Sequence, residues 1–312
     1  MNLPRQPRPS CVAEILNSAR DEFLAKHTDP HLTRLAHLET QVLLAHVLEC
    51  DRSWLIAHDQ DLVNAAQRNL FQSLVTRRIN GEPIAYLTGY REFWSLELKV
   101  SPEVLIPRPE TELLIETVLK HIAKPKAATM NVADLGTGSG AIALALATEL
   151  PNARIIATDT SIPALTLAAE NAQRHALNNI DIVASDWCSA LGAGQFQIIC
   201  ANPPYIADSD PHLKQGDLRY EPRSALSAGS DGLDDLRQII SQAKACLDHN
   251  GMLLVEHGAD QGPPVRKLFA QNGYGQILSL ADLAGHERIS MACKSPWKRN
   301  QTIDSRVGNC GC

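Results

Sequence analysis

The sequence lacks a hydrophobic run long enough to cross a membrane. Its longest unbroken apolar stretch is residues 141–147, far short of the roughly 20 residues that a membrane-spanning helix requires. The first ten residues hold two arginines and three prolines with no apolar segment behind them, so they do not resemble a secretory signal peptide. We therefore expect a cytoplasmic protein that does not associate with a membrane.

An excess of positive charge is also missing. Lys and Arg total 29 against 35 for Asp and Glu, a net charge of −6, and residues 1–100 hold 11 basic and 12 acidic side chains. Proteins that grip nucleic acid over a broad surface normally present a basic face, so we expect no direct nucleic acid binding. With 44% hydrophobic and 21% charged residues, the composition is that of a globular protein, and 312 residues suffice for two domains.

Cysteine is present, but without the spacing of a disulfide framework or a metal site. The eight cysteines are scattered, mostly inside apolar stretches, and without a secretory signal this pattern favours reduced, buried thiols. Cys310 and Cys312 are separated by one glycine and have no second pair or neighbouring histidine. We predict no metal site.

The first part of the chain has helical periodicity. Apolar residues recur at steps of three and four over residues 11–27, again from Pro30, and over 62–79, which predicts three helices. Asp29 is expected to cap the second helix, with Pro30 in its first position. We interpret residues 1–83 as a small helical bundle domain.

Residues 84–106 become β-like. They include Tyr86, Phe93 and Leu96, in a region with an alternating apolar stretch that is typical of a hairpin. We predict that residues 84–108 form a β-hairpin linker between two domains.

From residue 131 to 293, predicted strands alternate with amphipathic helices. This alternation indicates an α/β domain with a parallel sheet covered on both faces. We assign it to residues 109–297, with Pro109 opening its first helix, and we expect the polar tail 298–312 to be loose. The predicted strands lie at 131–136, 153–159, 179–185, 196–205, 251–258, 276–280 and 288–293, and the predicted helices between them include 141–150, 164–176 and 233–247.

A glycine-rich loop joins the first predicted strand of this domain to its first helix. Its spacing is G-x-G-x-G, not the G-x-G-x-x-G of pyrophosphate-binding dinucleotide folds. Glycines let the chain turn tightly and let a ligand approach the backbone, with the helix N-terminus behind it. The loop residues that we predict to contact a cofactor are Gly136, Thr137, Gly138, Ser139 and Gly140.

Two further strand ends carry side chains that suit a nucleoside. Asp159 ends the second strand, 23 residues after Gly136, and its carboxylate can accept hydrogen bonds from both hydroxyls of a ribose. Asp186 and Trp187 end the third strand, where an acceptor and an aromatic face suit adenine. The carboxyl ends of parallel strands are where open α/β sheets bind ligands.

This constellation resembles the class I S-adenosylmethionine-dependent methyltransferases. The resemblance implies a Rossmann-like methyltransferase sheet of seven strands whose last strand is antiparallel. It also implies that the loop from Gly136 to Gly140 holds the methionine part of S-adenosyl-L-methionine and that Asp159 binds its ribose.

The segment Asn202-Pro203-Pro204-Tyr205 follows residues 196–201, the apolar part of the fourth predicted strand. Two successive prolines hold the backbone extended and cannot donate hydrogen bonds. What remains is an edge rich in acceptors beside an aromatic ring, which suits a planar NH2 group. The segment resembles the (Asn/Asp/Ser)-Pro-Pro-(Tyr/Phe/Trp) signature of amino-group methyltransferases, which by itself does not separate adenine from glutamine.

Other segments extend the resemblance over roughly residues 10 to 295. Together with the Asn-Pro-Pro-Tyr segment, they resemble the release factor glutamine N5-methyltransferases, the PrmC (HemK) family. The segments are GEPIAYLTGYREFWSLELKVSPEVLIPRPETELL, DLGTGSGAIALALA and EPRSAL.

The family resemblance implies methyl transfer to the glutamine of the Gly-Gly-Gln loop of class 1 peptide chain release factors, with the N-terminal helices recognising the factor. Asn202 and the Pro203 carbonyl would accept the amide hydrogens, Tyr205 would pack on the amide, and Pro204 would complete this edge. Trp187 and Asn202 would also touch the cofactor.

Two alternatives stay open at this point. An adenine-N6 methyltransferase acting on nucleic acid shares the Asn-Pro-Pro-Tyr chemistry, although it normally needs a basic docking surface and a flipped base. A cofactor-binding module without catalytic activity would keep the glycine loop but would not need Asn202 and Tyr205 beside the prolines.

Overall fold

The computed structural model describes residues 10–26, 30–122 and 124–295, with backbone alone at 30–34. The predictions for Asp29, for Cys310 and Cys312, and for the tail 298–312 lie outside these residues. The described chain divides into two compact units. One contains the residues up to Tyr90, with Val100–Pro102 and Lys214–Tyr220, and the other contains Arg91–Lys99, Glu103–Leu213 and the residues from Glu221 onward.

The first unit is a small bundle of helices. Its core is formed by large side chains that are almost fully buried, among them Phe23, Leu44 and Phe71. The helical periodicity of the sequence therefore identified the bundle correctly. Its elements are β1 (Ser10–Cys11), α1 (Val12–Lys26), α2 (Pro30–Leu48), α3 (Arg52–Ala57), β2 (Leu62–Val63), α4 (Ala65–Ile79) and α5 (Ile84–Thr88).

The start of α4 differs from the prediction. Asn64 caps the helix by accepting a hydrogen bond from the Gln67 backbone N–H at 2.9 Å, and the Gln67 side chain bonds back to the Asn64 N–H. This reciprocal capping box fixes the first helical residue at Ala65. The predicted start at residue 62 is wrong because Leu62–Val63 pairs with Ser10–Cys11 as an antiparallel ribbon.

The hairpin is shorter than predicted. Its strands are β3 (Tyr90–Phe93) and β4 (Leu96–Lys99), whereas Ile84–Thr88 is helical and ends at Gly89, whose φ is +80°. The turn consists of Trp94 and Ser95, both with positive φ. Such turns usually carry Asn-Gly or Asp-Gly, so the sequence did not reveal where this turn lies.

The second unit is built on a seven-stranded sheet with the order β10-β11-β9-β8-β5-β6-β7. β11 runs antiparallel to both of its neighbours, and the other described pairings in this sheet are parallel. The predicted seven-stranded, Rossmann-like sheet with an antiparallel last strand is confirmed. The strands are β5 (Asn131–Leu135), β6 (Arg154–Asp159), β7 (Ile180–Ala184), β8 (Phe196–Ala201), β9 (Leu247–Glu256), β10 (Gly275–Ala281) and β11 (Glu287–Cys293).

Helices cover both faces of this sheet. Alternate residues of the strands belong to two separate apolar clusters, because successive strand side chains point to opposite faces. One cluster contains α6 and α7, and the other contains α9 and α10. The helices are α6 (Glu112–Lys120), which follows a 3-10 turn at Pro109–Thr111, α7 (Ala141–Glu149), α8 (Ile162–Arg174), α9 (Asp234–Cys246) and α10 (Gly262–Gln271).

The strand order places a ligand crevice at the middle of the sheet. β5 lies between β6 and β8, so the connections leaving β5 and β8 go to opposite sides, as at the switch points where open α/β sheets bind ligands. β8 ends at Ala201, before the two prolines, rather than at residue 205 as predicted. None of the described helices is long and apolar enough to span a membrane.

Candidate active site

The glycine-rich loop leaves β5 and enters α7 with three left-handed residues. Gly136, Gly138 and Gly140 have φ values of +70°, +54° and +88°, which side chains with a Cβ rarely adopt. Space is restricted as well, because a Cβ on Gly136 would lie 3.0 Å from the Trp187 ring and one on Gly140 would lie 2.4 Å from Leu144 Cδ1. The glycines therefore allow the tight turn and the close approach of the Trp187 ring.

Hydrogen bonds tie this loop to the neighbouring strand β6. The Thr137 N–H donates to the Thr158 carbonyl at 2.8 Å, and the Gly138 N–H donates to Asp159 Oδ2 at 3.0 Å. Asp159 Oδ1 accepts the Ser161 N–H at 2.9 Å. The predicted ribose-binding carboxylate is thus positioned by backbone groups on both sides of it.

Asp134, the last polar residue of β5, is completely buried beneath the loop. Its Oδ2 accepts the Thr137 hydroxyl at 2.6 Å and the Ala143 N–H at 3.2 Å, while Oδ1 has no hydrogen-bond partner among the described residues. Burial raises the pKa of Asp134 to about 7, against the lowering effect of these two hydrogen bonds. Asp134 joins the loop to the start of α7.

A cavity of about 320 Å³ opens at this edge of the sheet, within the roughly 300–1,000 Å³ of small-molecule sites. It brings together most of the side chains predicted for a cofactor and a substrate. Gly140, Pro203 and Tyr205 are not among its lining residues. The predicted residues that line it are Gly136, Thr137, Gly138, Ser139, Asp159, Asp186, Trp187, Asn202 and Pro204.

The start of α9 contributes lining residues that the sequence did not reveal. Gln238 Nε2 donates to Asp186 Oδ1 at 3.2 Å, and Asp235 forms a side-chain hydrogen bond with Trp187. Burial raises the pKa of Asp235, and the bond from Trp187 opposes that rise. Acidic residues in a first helical turn are expected for electrostatic reasons alone, so Asp235 gave no separate signal of a site.

The Asn-Pro-Pro-Tyr segment follows β8 and lies beside the cavity. Asn202 Nδ2 donates to Thr111 Oγ1 at 3.1 Å, whereas Asn202 Oδ1 is buried without a hydrogen-bond partner among the described residues. Pro203 and Pro204 are buried. A buried carbonyl oxygen with no partner is costly, so this atom marks a place where a ligand N–H would be stabilised.

Behind this edge lies a second buried carboxylate, Glu256, at the end of β9. Its Oε2 accepts the Thr111 hydroxyl at 2.7 Å, and its Oε1 accepts the Tyr205 hydroxyl at 3.4 Å. Burial raises the pKa of Glu256 to about 7, although Thr111, Tyr205 and Arg288 act to lower it. Neither Thr111 nor Glu256 was predicted from the sequence, because one lies in a helix-start segment and the other ends an apolar strand.

An ion pair with one buried partner lies beside the 3-10 turn before α6. The Arg108 guanidinium pairs with Glu221, whose carboxylate also accepts the Ile106 N–H at 3.3 Å. Glu221 is almost fully buried. The two segments that carry the predicted family motifs around residues 107–112 and 221–226 are therefore in direct contact.

Comparison with known proteins identifies the family of this chain. The family model described as the PrmC N-terminal domain matches residues 14–89, and the methyltransferase small domain matches residues 109–217. A release factor glutamine methyltransferase from Pseudomonas aeruginosa is 50% identical over 82% of this chain and 92% of its own length. The chain belongs to the release factor glutamine methyltransferase family.

Other comparisons agree with this family. A release factor glutamine methyltransferase from Escherichia coli (strain K12) is 46% identical over 81% of this chain and 90% of its own length. Among solved structures, the hMettl16 catalytic domain in complex with a MAT2A 3′UTR hairpin has a TM-score of 0.51, with 14% identity over 77% of this chain and 86% of that one. At that identity, the likeness shows the methyltransferase fold alone.

Proposed function

We propose that this chain transfers the methyl group of S-adenosyl-L-methionine to the side-chain amide nitrogen, N5, of the glutamine in the Gly-Gly-Gln loop of class 1 peptide chain release factors, yielding S-adenosyl-L-homocysteine. The observation that carries the proposal is Oδ1 of Asn202, which is buried beside the cavity and has no hydrogen-bond partner in the part of the chain that the structure describes. The family supplies the substrate class, since its members are named release factor glutamine methyltransferases.

The cavity has groups that fit each part of S-adenosyl-L-methionine. The glycine loop at 136–140 exposes backbone at the start of α7 and suits the methionine portion. Asp159 suits the ribose hydroxyls, and Asp186 with the Trp187 ring suits adenine. The close approach of Trp187 to Gly136 supports this fit, since a side chain at position 136 would displace the ring.

The reacting amide nitrogen is a poor nucleophile because its lone pair is delocalised into the carbonyl, so the enzyme must activate it. We assign Asn202 Oδ1 and the Pro203 carbonyl as acceptors of the two amide hydrogens, with Tyr205 packed on the amide. Two acceptors placed off the amide plane favour a pyramidal nitrogen and expose its lone pair. S-adenosyl-L-methionine supplies the electrophilic methyl group.

Orientation then provides much of the acceleration. Holding the nitrogen in line with the methyl group can contribute about 7–11 kcal/mol. Methyl transfer from the sulfonium leaves the positive charge on the amide nitrogen. This N-protonated amide is strongly acidic and loses a proton to solvent after transfer, so the reaction does not require a strong general base beforehand.

We assign recognition of the release factor to the N-terminal helical domain, residues 1–83, and catalysis to residues 109–297, with 84–108 linking them. The match of residues 14–89 to the PrmC N-terminal domain supports this division. The net charge of −6 supports a protein substrate over direct binding to nucleic acid. Since release factors act in translation, we place the enzyme in the cytoplasm.

The test uses tritiated S-adenosyl-L-methionine with purified release factor, beside a factor whose loop glutamine is changed to alanine. We expect label on the unmodified factor alone. Label on the alanine variant would reject the glutamine as the target. Label on protein-free nucleic acid, with none on either factor, would instead favour the adenine-N6 reaction.

A further inference from the structure

Three side chains form a continuous hydrogen-bonded chain behind the proposed reaction edge. Asn202 Nδ2 donates to Thr111 Oγ1 at 3.1 Å, and Thr111 Oγ1 lies 2.7 Å from Glu256 Oε2. Thr111 is 3% exposed and Glu256 is 1% exposed, so water does not compete readily for these bonds. The chain begins at a buried carboxylate and ends at the side chain that we assign to the substrate.

The donor and acceptor properties of these groups fix the direction of the chain. An ionised carboxylate only accepts hydrogen bonds, so the Thr111 hydroxyl must be the donor in its hydrogen bond with Glu256. The Thr111 oxygen then faces Asn202 as an acceptor, and the Asn202 NH2 group must be the one that meets it. Its oxygen is thereby left for another donor, as found for the buried Oδ1.

We propose that Glu256 acts through Thr111 as a positioning residue, holding the Asn202 amide with its oxygen toward the substrate amide hydrogen. This inference rests on the proposed function for the identity of the reacting group. Glu256 does not touch the substrate in this scheme. It selects one of the two orientations of an amide group that differ only in the exchange of oxygen and NH2.

Protonation of Glu256 reverses the direction of both hydrogen bonds in this chain. A carboxylic acid donates to Thr111 Oγ1, and the Thr111 hydroxyl is then released to donate to Asn202. Asn202 accepts that bond only by turning its oxygen toward Thr111, which presents its NH2 group to the substrate. An NH2 group cannot accept the amide hydrogen, so this orientation is inactive.

The titration of Glu256 depends on the charged groups around it. Arg288 at the start of β11 favours the ionised form, and Glu110 of the 3-10 turn opposes it. Tyr205 donates to Glu256 from the segment after β8, and Arg108 also acts on Tyr205. Burial dominates these influences and raises the pKa of Glu256 to about 7, so the ionised, active chain forms as pH rises through neutrality.

The first test is the pH profile of kcat/KM for wild type and Glu256→Gln with release factor as substrate. Wild type should lose about tenfold in rate per pH unit below about pH 7, since one proton abolishes the active form. Glu256→Gln should lose this acid limb because residue 256 no longer titrates, so its kcat/KM should stay constant over the range in which the wild-type value falls.

Asp134→Asn serves as the matched control, because Asp134 is also buried and its pKa is also raised to about 7. Persistence of the acid limb in Glu256→Gln would overturn the inference, and its disappearance in Asp134→Asn would assign the limb to Asp134 instead. Cofactor affinity is measured for each variant, so that a general loss of structure is recognised.

A second pair of variants tests the middle of the chain. Thr111→Val removes the hydroxyl at nearly constant shape, and kcat should fall by about 10²-fold with a much smaller change in the dissociation constant of the cofactor. Thr111→Ser keeps the hydroxyl and should recover most of that loss. Equal losses in the two variants would mean that the methyl group, not the hydrogen bond, matters at this position.

A third measurement works without any substrate. In protein labelled with ¹⁵N at asparagine, the side-chain NH2 signals of Asn202 are identified by their disappearance in Asn202→Ala. They should shift with pH at the same midpoint as the Glu256 carboxyl, and the shift should vanish in Glu256→Gln. If the chemical shifts of the Asn202 NH2 group do not change as Glu256 titrates, the inference is overturned even if release factor is methylated. A coupled titration would uphold it even if release factor proves not to be the substrate.

Discussion

Arg78 in the helical unit and two buried oxygens in the sheet unit differ in how far they are hydrogen-bonded. In the helical unit, Arg78 is 8% exposed and its guanidinium forms four hydrogen bonds: two to Glu39, at 2.8 and 2.9 Å, one to Asp217 and one to the Glu82 carbonyl. In the sheet unit, oxygens of Asp134 and Asn202 are buried with no hydrogen-bond partner among the described residues.

This difference separates structural polar groups from those available to a ligand. A buried ion pair whose groups already form several hydrogen bonds stabilises one packing arrangement and offers little to a ligand. A buried oxygen with no partner costs free energy, and a ligand that donates to it recovers that cost. Of these two residues only Asn202 is among those that line the cavity, so its oxygen is the one that a ligand can reach.

The largest effect is expected for Asn202→Ala. Removing the acceptor for the substrate amide should lower kcat by roughly 10³-fold, while the affinity for S-adenosyl-L-methionine changes little. Single-turnover methylation and calorimetric cofactor titration measure the two quantities. Full activity in this variant would remove Asn202 from the mechanism.

Next in size is Arg78→Met in the helical unit. Loss of the guanidinium leaves Glu39 largely buried without its partner, and the free energy of unfolding should fall by about 3 kcal/mol. Arg77→Met is the control, since the neighbouring Arg77 is about half exposed and pairs with Glu82; it should cost less than about 1 kcal/mol. Urea unfolding of the full chain compares the two, and equal losses would contradict the distinction.

A smaller effect is expected for Asp159→Ala. The variant loses the proposed ribose acceptor and the bonds to Gly138 and Ser161, so the dissociation constant of the cofactor should rise by about 30-fold, or about 2 kcal/mol. The control is Asp181→Ala, which removes an exposed carboxylate that pairs with Arg154. Asp181 lies at the start of β7, away from the carboxyl ends of the strands, so this variant should leave cofactor affinity unchanged. An unaltered dissociation constant in Asp159→Ala would exclude this role.

The smallest predicted effect is a pH dependence of stability. The folded-state pKa of Glu256 is raised to about 7, above its value in the unfolded chain, so the folded state binds the proton more tightly. Between pH 8 and pH 6, falling pH should therefore stabilise wild type relative to Glu256→Gln by about 1 kcal/mol. Thermal or urea unfolding at both pH values measures the difference, and a constant difference would contradict the raised pKa.

The sequence predicted those parts of the site that lie next to glycine, proline or a strand end. The loop at 136–140, Asp159 and the Asn-Pro-Pro-Tyr segment were found because local chain geometry and position in an α/β alternation identify them. The seven-stranded sheet followed from the same alternation and the family resemblance.

What the sequence missed depends on contacts between distant segments. Thr111 and Glu256 are 145 positions apart, and neither has an unusual neighbourhood in the sequence. Asp235 and Gln238 reach the cavity from a helix whose acidic first turn has an ordinary explanation. Helix α5 was missed because it has only five residues, four of them apolar. A segment this short cannot show the spacing of three and four that identifies a helix.

Asn171 restrains the glycine-rich loop before any cofactor binds. It is fully buried in α8, where its Nδ2 donates to the Ser139 carbonyl at 2.9 Å and to the Lys99 carbonyl at 3.0 Å, and its Oδ1 accepts the Lys99 N–H at 2.8 Å. One side chain outside the cavity thus restrains both the glycine loop and the end of the hairpin. A ligand that meets a restrained loop loses little conformational entropy in ordering it, so we expect Asn171 to raise cofactor affinity from outside the cavity.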